Sequence, residues 1–118
     1  PDGEPTGELT LRTLAMPASI GSIPTDANQE DFVPMGMAAA WKAQRILRNA
    51  ACVVATELLC AAQGLEFLAP LRPGTGVAAL YRAVRADEVG VRALAEDRPP
   101  APDLERLAGR VLRGELAP

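Results

Sequence analysis

The sequence contains no histidine, only two cysteines, and few aromatic residues, which make up 3% of its 118 residues. Without imidazole, and with only Cys52 and Cys60 as thiols, the usual ligand sets for a zinc or iron site cannot be assembled. We therefore expect no metal site in this chain, and no residues that bind a separate cofactor.

Strong charge of either sign is also lacking. The net charge is −3 and the isoelectric point is about 4.9, so there is no basic surface of the kind that binds nucleic acid. The first residues, Pro1-Asp2-Gly3-Glu4, include neither an initiator methionine nor the basic and apolar regions of a secretory signal. We expect a cytoplasmic protein, and an internal or C-terminal fragment of a longer polypeptide.

What the sequence does contain is small and aliphatic residues, with 48% hydrophobic content dominated by alanine, leucine and valine. This composition favours closely packed helices and predicts an all-α fold. A long central helix is expected from about Val33 to Phe67, as one helix of a multi-helix bundle. Its apolar stripe follows alternating steps of three and four residues: Leu47, Ala51, Val54, Leu58, Ala61 and Leu65.

The central helix is apolar nearly all round, since Glu57 is the only charged residue between Asn49 and Leu65. Such a helix must be buried on most sides, and a chain this short cannot bury it alone, so partners are implied. A membrane span is the alternative, but Glu57 near the middle argues against it. We expect Glu57 to find a hydrogen-bonding or arginine partner at a subunit interface. The two cysteines, about 12 Å apart on a helix, lie beyond disulfide reach and are predicted to be buried, reduced thiols.

Two shorter amphipathic helices are predicted to follow. The first runs from about 76 to 95 with Thr75 as its N-cap, and the second begins at Asp103 as cap and ends at Gly114. Before the central helix, the alternation in Leu9–Leu14 predicts a short strand. The chain therefore divides into an extended and loop segment, 1–32, and a helical region, 33–118.

The loop before the central helix, Ser22 to Gly36, holds four adjacent hydrogen-bonding side chains, Asn28 to Asp31. Functional side chains are often placed on such loops. Adjacent carboxylates serve acid–base chemistry where burial separates their pKa values, or they cap a helix by meeting the positive end of its dipole. Capping is the interpretation we adopt for Asp31. For Glu30, the residues alone leave both readings open.

Short sequence motifs in this loop resemble those of a known protein family. Ser22-Ile-Pro-Thr, Ala27-Asn-Gln-Glu-Asp and Val33-Pro-Met-Gly resemble a late active-site segment of the aromatic amino acid ammonia-lyase family, in its histidine-specific branch. Further matches follow in the same order: Glu57-Leu-Leu to Ala61-Ala-Gln, then Pro73-Gly-Thr, Asp97 and Ala101-Pro-Asp.

The resemblance implies that the chain is the C-terminal portion of a longer lyase that assembles as a homo-tetramer and acts on an amino acid. Glu30 matches the active-site glutamate of the family, which contacts the substrate in an acid–base or amine-binding role. Gln29 is the second candidate for substrate binding. The family's electrophile is a methylidene-imidazolone formed from Ala-Ser-Gly. Here Ala18-Ser19 is followed by Ile20, so the group is expected to form outside this chain.

Two positions depart from the family pattern. Phe32 stands where histidine is usual, and Pro34 stands where serine is usual. Exchanging an imidazole for an apolar ring alters local hydrogen bonding, which leaves a lyase or aminomutase acting on another aromatic amino acid as an alternative to a histidine lyase. A separate alternative is a non-catalytic helical assembly module, in which the residues from Asn28 to Asp31 form only a capping loop.

Overall fold

The computed structural model describes the backbone of residues 7–116 and the side chains of residues 11–116. Within that range the chain forms helices and one isolated bridge, Thr25 with Glu30, but no strand. The all-α prediction is therefore confirmed. The elements are α1 (Gly7–Ala15), two 3-10 turns (Ala18–Gly21 and Asp26–Asn28), α2 (Gly36–Phe67), α3 (Thr75–Arg85) and α4 (Ala101–Leu112).

The chain packs as two compact units, one through Ile46 and the other from Leu47 onward. The division falls inside α2. The first unit contains α1, the two 3-10 turns and the start of α2. The second contains the rest of α2, α3, α4 and the chain that joins them.

The predicted strand at Leu9–Leu14 is wrong, because these residues lie in helix α1. Leu11 and Leu14 are three residues apart, a spacing that suits one helix face as well as it suits an alternating pattern. A lone strand would leave its backbone groups unpaired, whereas a helix satisfies them internally. The helical turn extends past Ala15, where the Met16 N–H donates to the Arg12 carbonyl at 3.1 Å.

Helix α2 begins at Gly36 rather than at Val33. Proline at 34 disfavours helical backbone at the residue before it, and Met35 adopts a left-handed conformation with φ of 53°. The first hydrogen bond of the helix runs from the Ala39 N–H to the Met35 carbonyl, at 3.0 Å. Asp31 is therefore not the cap of this helix. It lies ahead of the Pro34 break and is exposed.

In the second unit, α2 presents alanines to α3 and α4. The fully buried residues of α2 are Ala51, Ala55 and Ala62, and small side chains let helices approach closely. The remaining members of the core come from α3, α4, the segment between them and the residues after α4: Val84, Val89, Val91, Leu107, Ala108 and Leu116.

The other faces of α2 are open in this chain. Leu47, Val53 and Phe67 are 61%, 60% and 79% exposed, so burial of the helix on most sides is not achieved by this chain alone. Cys52 and Cys60 are free but exposed, which corrects the prediction that they are buried. They lie off the alanine face. Glu57 is also exposed, and no partner for it lies within residues 7–116, so its interface partner stays a prediction.

Among the described residues, α2 is the one helix long and apolar enough to cross a membrane by length and composition. That evidence is weak, because the core helices of soluble proteins pass the same test.

Helix α3 is shorter than the predicted 76–95. It starts at Thr75, with Gly74 rather than Thr75 as its N-cap, and ends at Arg85. Ala86 leaves the helix with φ −57° and ψ 139°, and Gly90 turns the chain with φ of 67°. Val91 is buried, as expected for the apolar face, but it reaches the core from irregular chain instead of from a helix.

Side-chain hydrogen bonds connect α2 with α3, and connect both helices with the irregular segment that follows α3. The Glu66 carboxylate accepts from Arg85 Nε at 2.8 Å and from the Tyr81 hydroxyl at 3.2 Å. The Gln63 amide oxygen accepts from the Leu94 N–H at 2.8 Å, while its nitrogen donates to the Leu94 carbonyl at 3.5 Å. Arg85 also donates to the Arg92 carbonyl at 3.1 Å. Segment 86–100 is thus positioned by side chains rather than by secondary structure.

Helix α4 starts at Ala101, so Asp103 lies in its first turn rather than at its cap. Its side chain is buried and paired with Arg98 at 2.6 Å and Arg106 at 3.4 Å. The helix ends at Leu112, two residues before the predicted end, and Gly114 is the glycine that terminates it. Gly114 has φ of 70°, and the Glu115 N–H donates back to the Arg110 carbonyl at 3.0 Å, which is the Schellman arrangement of a helix C-terminus.

Two leucines of α4 provide a matched test of this packing. Leu107 is fully buried and Leu112 is 51% exposed. Leu107→Ala should lower the free energy of unfolding by about 2–5 kcal/mol, since it removes buried methyl groups and leaves a cavity. Leu112→Ala should lower it by less than about 1 kcal/mol. Urea denaturation followed by far-ultraviolet circular dichroism measures both, and equal losses would contradict this core.

Candidate functional site

The loop from Ser22 to Gly36 is a closed hairpin. Thr25 and Glu30 exchange backbone hydrogen bonds in both directions: the Thr25 N–H donates to the Glu30 carbonyl at 2.9 Å, and the Glu30 N–H donates to the Thr25 carbonyl at 3.2 Å. Three residues further from the turn on each side, the Val33 N–H donates to Ser22 Oγ at 2.8 Å. The two links are in the same register, so the two arms of the loop are connected both next to the turn and three residues away from it.

The turn of this hairpin is left-handed. Asp26, Ala27 and Asn28 have φ of 50°, 53° and 68°, and the Gln29 N–H donates to the Asp26 carbonyl at 3.0 Å. Asp and Asn tolerate this region because their short polar side chains bond locally, but alanine has no such compensation. A non-glycine residue there costs on the order of 1–3 kcal/mol. Backbone pairing around the turn is what holds Ala27 in this conformation.

The predicted site residues extend from the end of the turn. Gln29 and Glu30 are adjacent and exposed, as is Asp31. Among residues 7–116, no hydrogen bond or ion pair reaches the side chain of Gln29, Glu30 or Asp31. The backbone of Glu30 is therefore fixed at both its N–H and its carbonyl, while its carboxylate is open to a ligand.

Asp26 and Asp31 are the other carboxylates of this loop, and no cluster of acidic, thiol or imidazole side chains among the described residues could hold a metal ion. Gln29 and Glu30 are therefore candidates only, and a site built on them would need further groups from elsewhere. An exposed carboxylate on a fixed backbone can accept a hydrogen bond from an ammonium group or take up a proton.

Two contacts of the first unit were not foreseen from the sequence. The motif includes Ser22 but predicts no contact for it, whereas in the structure its hydroxyl accepts the hydrogen bond from Val33 that closes the hairpin. Lys42 on α2 donates to the Met16 carbonyl, which ties the start of α2 to the end of the α1 turn. Neither contact has a local sequence signal, because each joins residues that only the folded loop brings together.

The second unit has a cavity of about 290 Å³, lined by residues that include Gln63, Arg92 and Arg98. Its buried carboxylate, Asp103, is already neutralised by Arg98. We therefore assign this cavity no part in the candidate site.

Comparison with known proteins bears on the origin of this loop. The sequence model of the family described as aromatic amino acid lyase matches residues 9–86, which include the whole hairpin. The chain belongs to the aromatic amino acid lyase family. The resemblance noted from the loop is thus confirmed over most of the chain.

Individual relatives agree with this membership. The chain is 50% identical over 105 residues to a histidine ammonia-lyase of Symbiobacterium thermophilum, covering 89% of this chain and 20% of that protein. It is 51% identical to one of Deinococcus radiodurans, covering 89% and 19%. It is 46% identical to one of Natranaerobius thermophilus, covering 89% and 20%. The chain spans about a fifth of the length of these relatives. No solved structure matches it.

The strained turn yields a test with a local readout. Ala27→Val should open the hairpin, because a β-branched residue at φ of 53° is a backbone outlier. Amide hydrogen exchange at Thr25 and Glu30, whose N–H groups pair across the turn, should then quicken by about tenfold or more, as expected for a penalty near 1.4 kcal/mol. Ala27→Gly, which accepts positive φ freely, is the control and should keep exchange slow.

Proposed function

We propose that the complete polypeptide is a carbon–nitrogen lyase that eliminates ammonia from histidine to give urocanate, with this chain as its C-terminal portion. The observation that carries the proposal is the identity of 50–51% with proteins named histidine ammonia-lyase. In this proposal, residues 1–32 carry the site loop and residues 33–118 form the helical scaffold.

Glu30 is the residue of this chain that acts on the substrate. Its backbone is held by Thr25 while its carboxylate is exposed. That carboxylate either accepts a hydrogen bond from the α-ammonium group of the amino acid or moves a proton during elimination. Gln29, the neighbouring amide, binds and orients the substrate beside it. Both roles need a side chain presented from a fixed backbone, and the hairpin provides that.

The prosthetic group of the proposed lyase, a methylidene-imidazolone, would supply the electrophile. It is made from Ala-Ser-Gly, and this chain offers only Ala18-Ser19 followed by Ile20. The residues present do not fit the group, so it must form elsewhere in the polypeptide. The role assigned to this chain therefore rests on Glu30 and Gln29 alone.

The rest of the lyase chain, and further copies in a homo-tetramer, are the partners we propose for α2. Large apolar side chains of this helix are exposed here, including Leu47, Val53 and Phe67. Large apolar side chains left exposed on a helix in this number support an interaction with other protein segments. Burial against other helices of a cytoplasmic enzyme would cover it without a membrane, and we propose no nucleic acid partner.

Phe32 supports a second candidate substrate. It is 58% exposed and stands two residues from Glu30, where the family pattern has histidine. An apolar ring at this position favours the less polar ring of phenylalanine or tyrosine over the polar imidazole of histidine. A lyase or aminomutase acting on phenylalanine or tyrosine is therefore the alternative reaction on the same fold.

Substitution of the proposed catalytic residue tests its role. Glu30→Gln in the complete enzyme keeps the size and exposure of the side chain but removes its charge and its ability to take a proton. Turnover should fall by about 10²–10⁴-fold, the usual contribution of a positioned acid or base. Asp26→Asn, which neutralises another exposed carboxylate of the same loop, is the control and should change turnover little. An unchanged rate for Glu30→Gln would remove Glu30 from the site.

Substrate choice is tested with the complete enzyme and three amino acids. Histidine should yield urocanate, seen as a rise in near-ultraviolet absorbance, and the rate should exceed that with phenylalanine or tyrosine. Activity on phenylalanine or tyrosine alone would support the alternative reaction. Failure to convert any of the three would favour a non-catalytic assembly module.

A further inference from the structure

Ser22 makes the one side-chain hydrogen bond that the structure shows within the hairpin. Its Oγ accepts from the Val33 N–H at 2.8 Å, in a partly buried position eleven residues away. Its own N–H donates to the Ser19 carbonyl at 3.0 Å, which anchors Ser22 to the preceding 3-10 turn (Ala18–Gly21). Ser22 thus links one anchored point of the first unit to the far arm of the loop.

The far arm has few other ways to be held. Pro34 has no N–H, so the Val33 N–H is the last donor of the arm before Met35 and the start of α2. Between Val33 and the Glu30 pairing lie Asp31 and Phe32, which are exposed and make no hydrogen bond within the described chain. Without the Ser22 contact, the Thr25–Glu30 backbone pair would be the only link between the two arms of the hairpin that the structure shows, and it would have to close the strained turn alone.

We propose that Ser22 is a positioning residue for Glu30, because its hydroxyl fixes the arm of the hairpin that presents the carboxylate. The inference rests on the proposed function, in which Glu30 acts on the substrate. Ser22 itself touches no reacting atom. It acts by stabilising the Thr25–Glu30 backbone pairing, which limits the displacement of the Glu30 carboxylate.

The test is the elimination rate of the complete enzyme carrying Ser22→Ala, alone and together with Glu30→Gln. A displacement of about 1 Å at a reacting group costs as much as about 10²-fold in rate, so Ser22→Ala should lower kcat/KM by about 10- to 100-fold. In the Glu30→Gln background the same change should have little further effect, since residues acting through one another are not additive.

Two further variants separate positioning from general stability. Ser22→Thr retains the hydroxyl, and the extended backbone at this residue, φ −59° and ψ 144°, accepts threonine; it should restore most of the activity. Ser19→Ala removes a hydroxyl of the same 3-10 turn that makes no hydrogen bond in the described residues, and it should leave the rate unchanged. If Ser22→Ala does not fold, Ser22→Cys replaces the oxygen with a weak acceptor of similar shape and should give the same loss.

The outcomes distinguish this inference from the proposed function. A wild-type rate for Ser22→Ala, while Glu30→Gln is impaired, would overturn the role of Ser22 and leave the proposed function standing. A full loss from Ser22→Ala repeated in the Glu30→Gln background would show that Ser22 does not act through Glu30. Histidine elimination that survives Glu30→Gln unchanged would instead overturn the proposed role of Glu30, and the inference with it.

Discussion

The packing of this chain depends on alanine. Ala51, Ala55 and Ala62 form the face of α2 that is fully buried, and at these positions no bulk separates the helix from its neighbours. Val84 of α3 and Leu107 of α4 belong to the same core and are fully buried. Alanine and valine make up most of this core, and Leu107 and Leu116 are its largest members. Close approach of the helices thus adds to the stability of the second unit, because dispersion contacts accumulate only at near-contact distance.

Among its described side chains, 11–46, the first unit contributes no residue to this buried hydrophobic core. Its order comes from backbone and side-chain hydrogen bonds, and these concentrate on one strained loop. Left-handed backbone at Ala27 is retained because Thr25 and Glu30 pair on either side of it. Strain of this type persists only where the surroundings over-determine it, and it is common at functional sites. An exposed carboxylate on so constrained a backbone is consistent with preorganisation for binding.

Much of this could be predicted from the sequence. The helical stripe of α2 and the turn signal at Gly114 are local patterns, and the site loop was recognisable by its motif. The errors have physical causes. Short alternation at Leu9–Leu14 also fits a helix, and the described residues contain no strand with which it could pair. Helix α3 stops at Arg85 because Gln63 and Arg85 hold the following segment, which is a tertiary effect. Pro34 separates Asp31 from α2, and because a proline disfavours helical backbone at the residue before it, the capping prediction conflicts with a signal that the sequence contains.

The clip between Gln63 and Leu94 has a consequence for sequence variation. The side-chain amide of Gln63 forms hydrogen bonds with both the N–H and the carbonyl of Leu94, as a neighbouring strand would. These bonds involve only the backbone of Leu94, whose side chain is 45% exposed. Position 94 should therefore accept most residue types but reject proline, which lacks the donor. Position 63 should accept far fewer residue types, because its side chain must both accept and donate a hydrogen bond. A glutamate there could accept but not donate, so the side chain matters at position 63 and only the backbone matters at position 94.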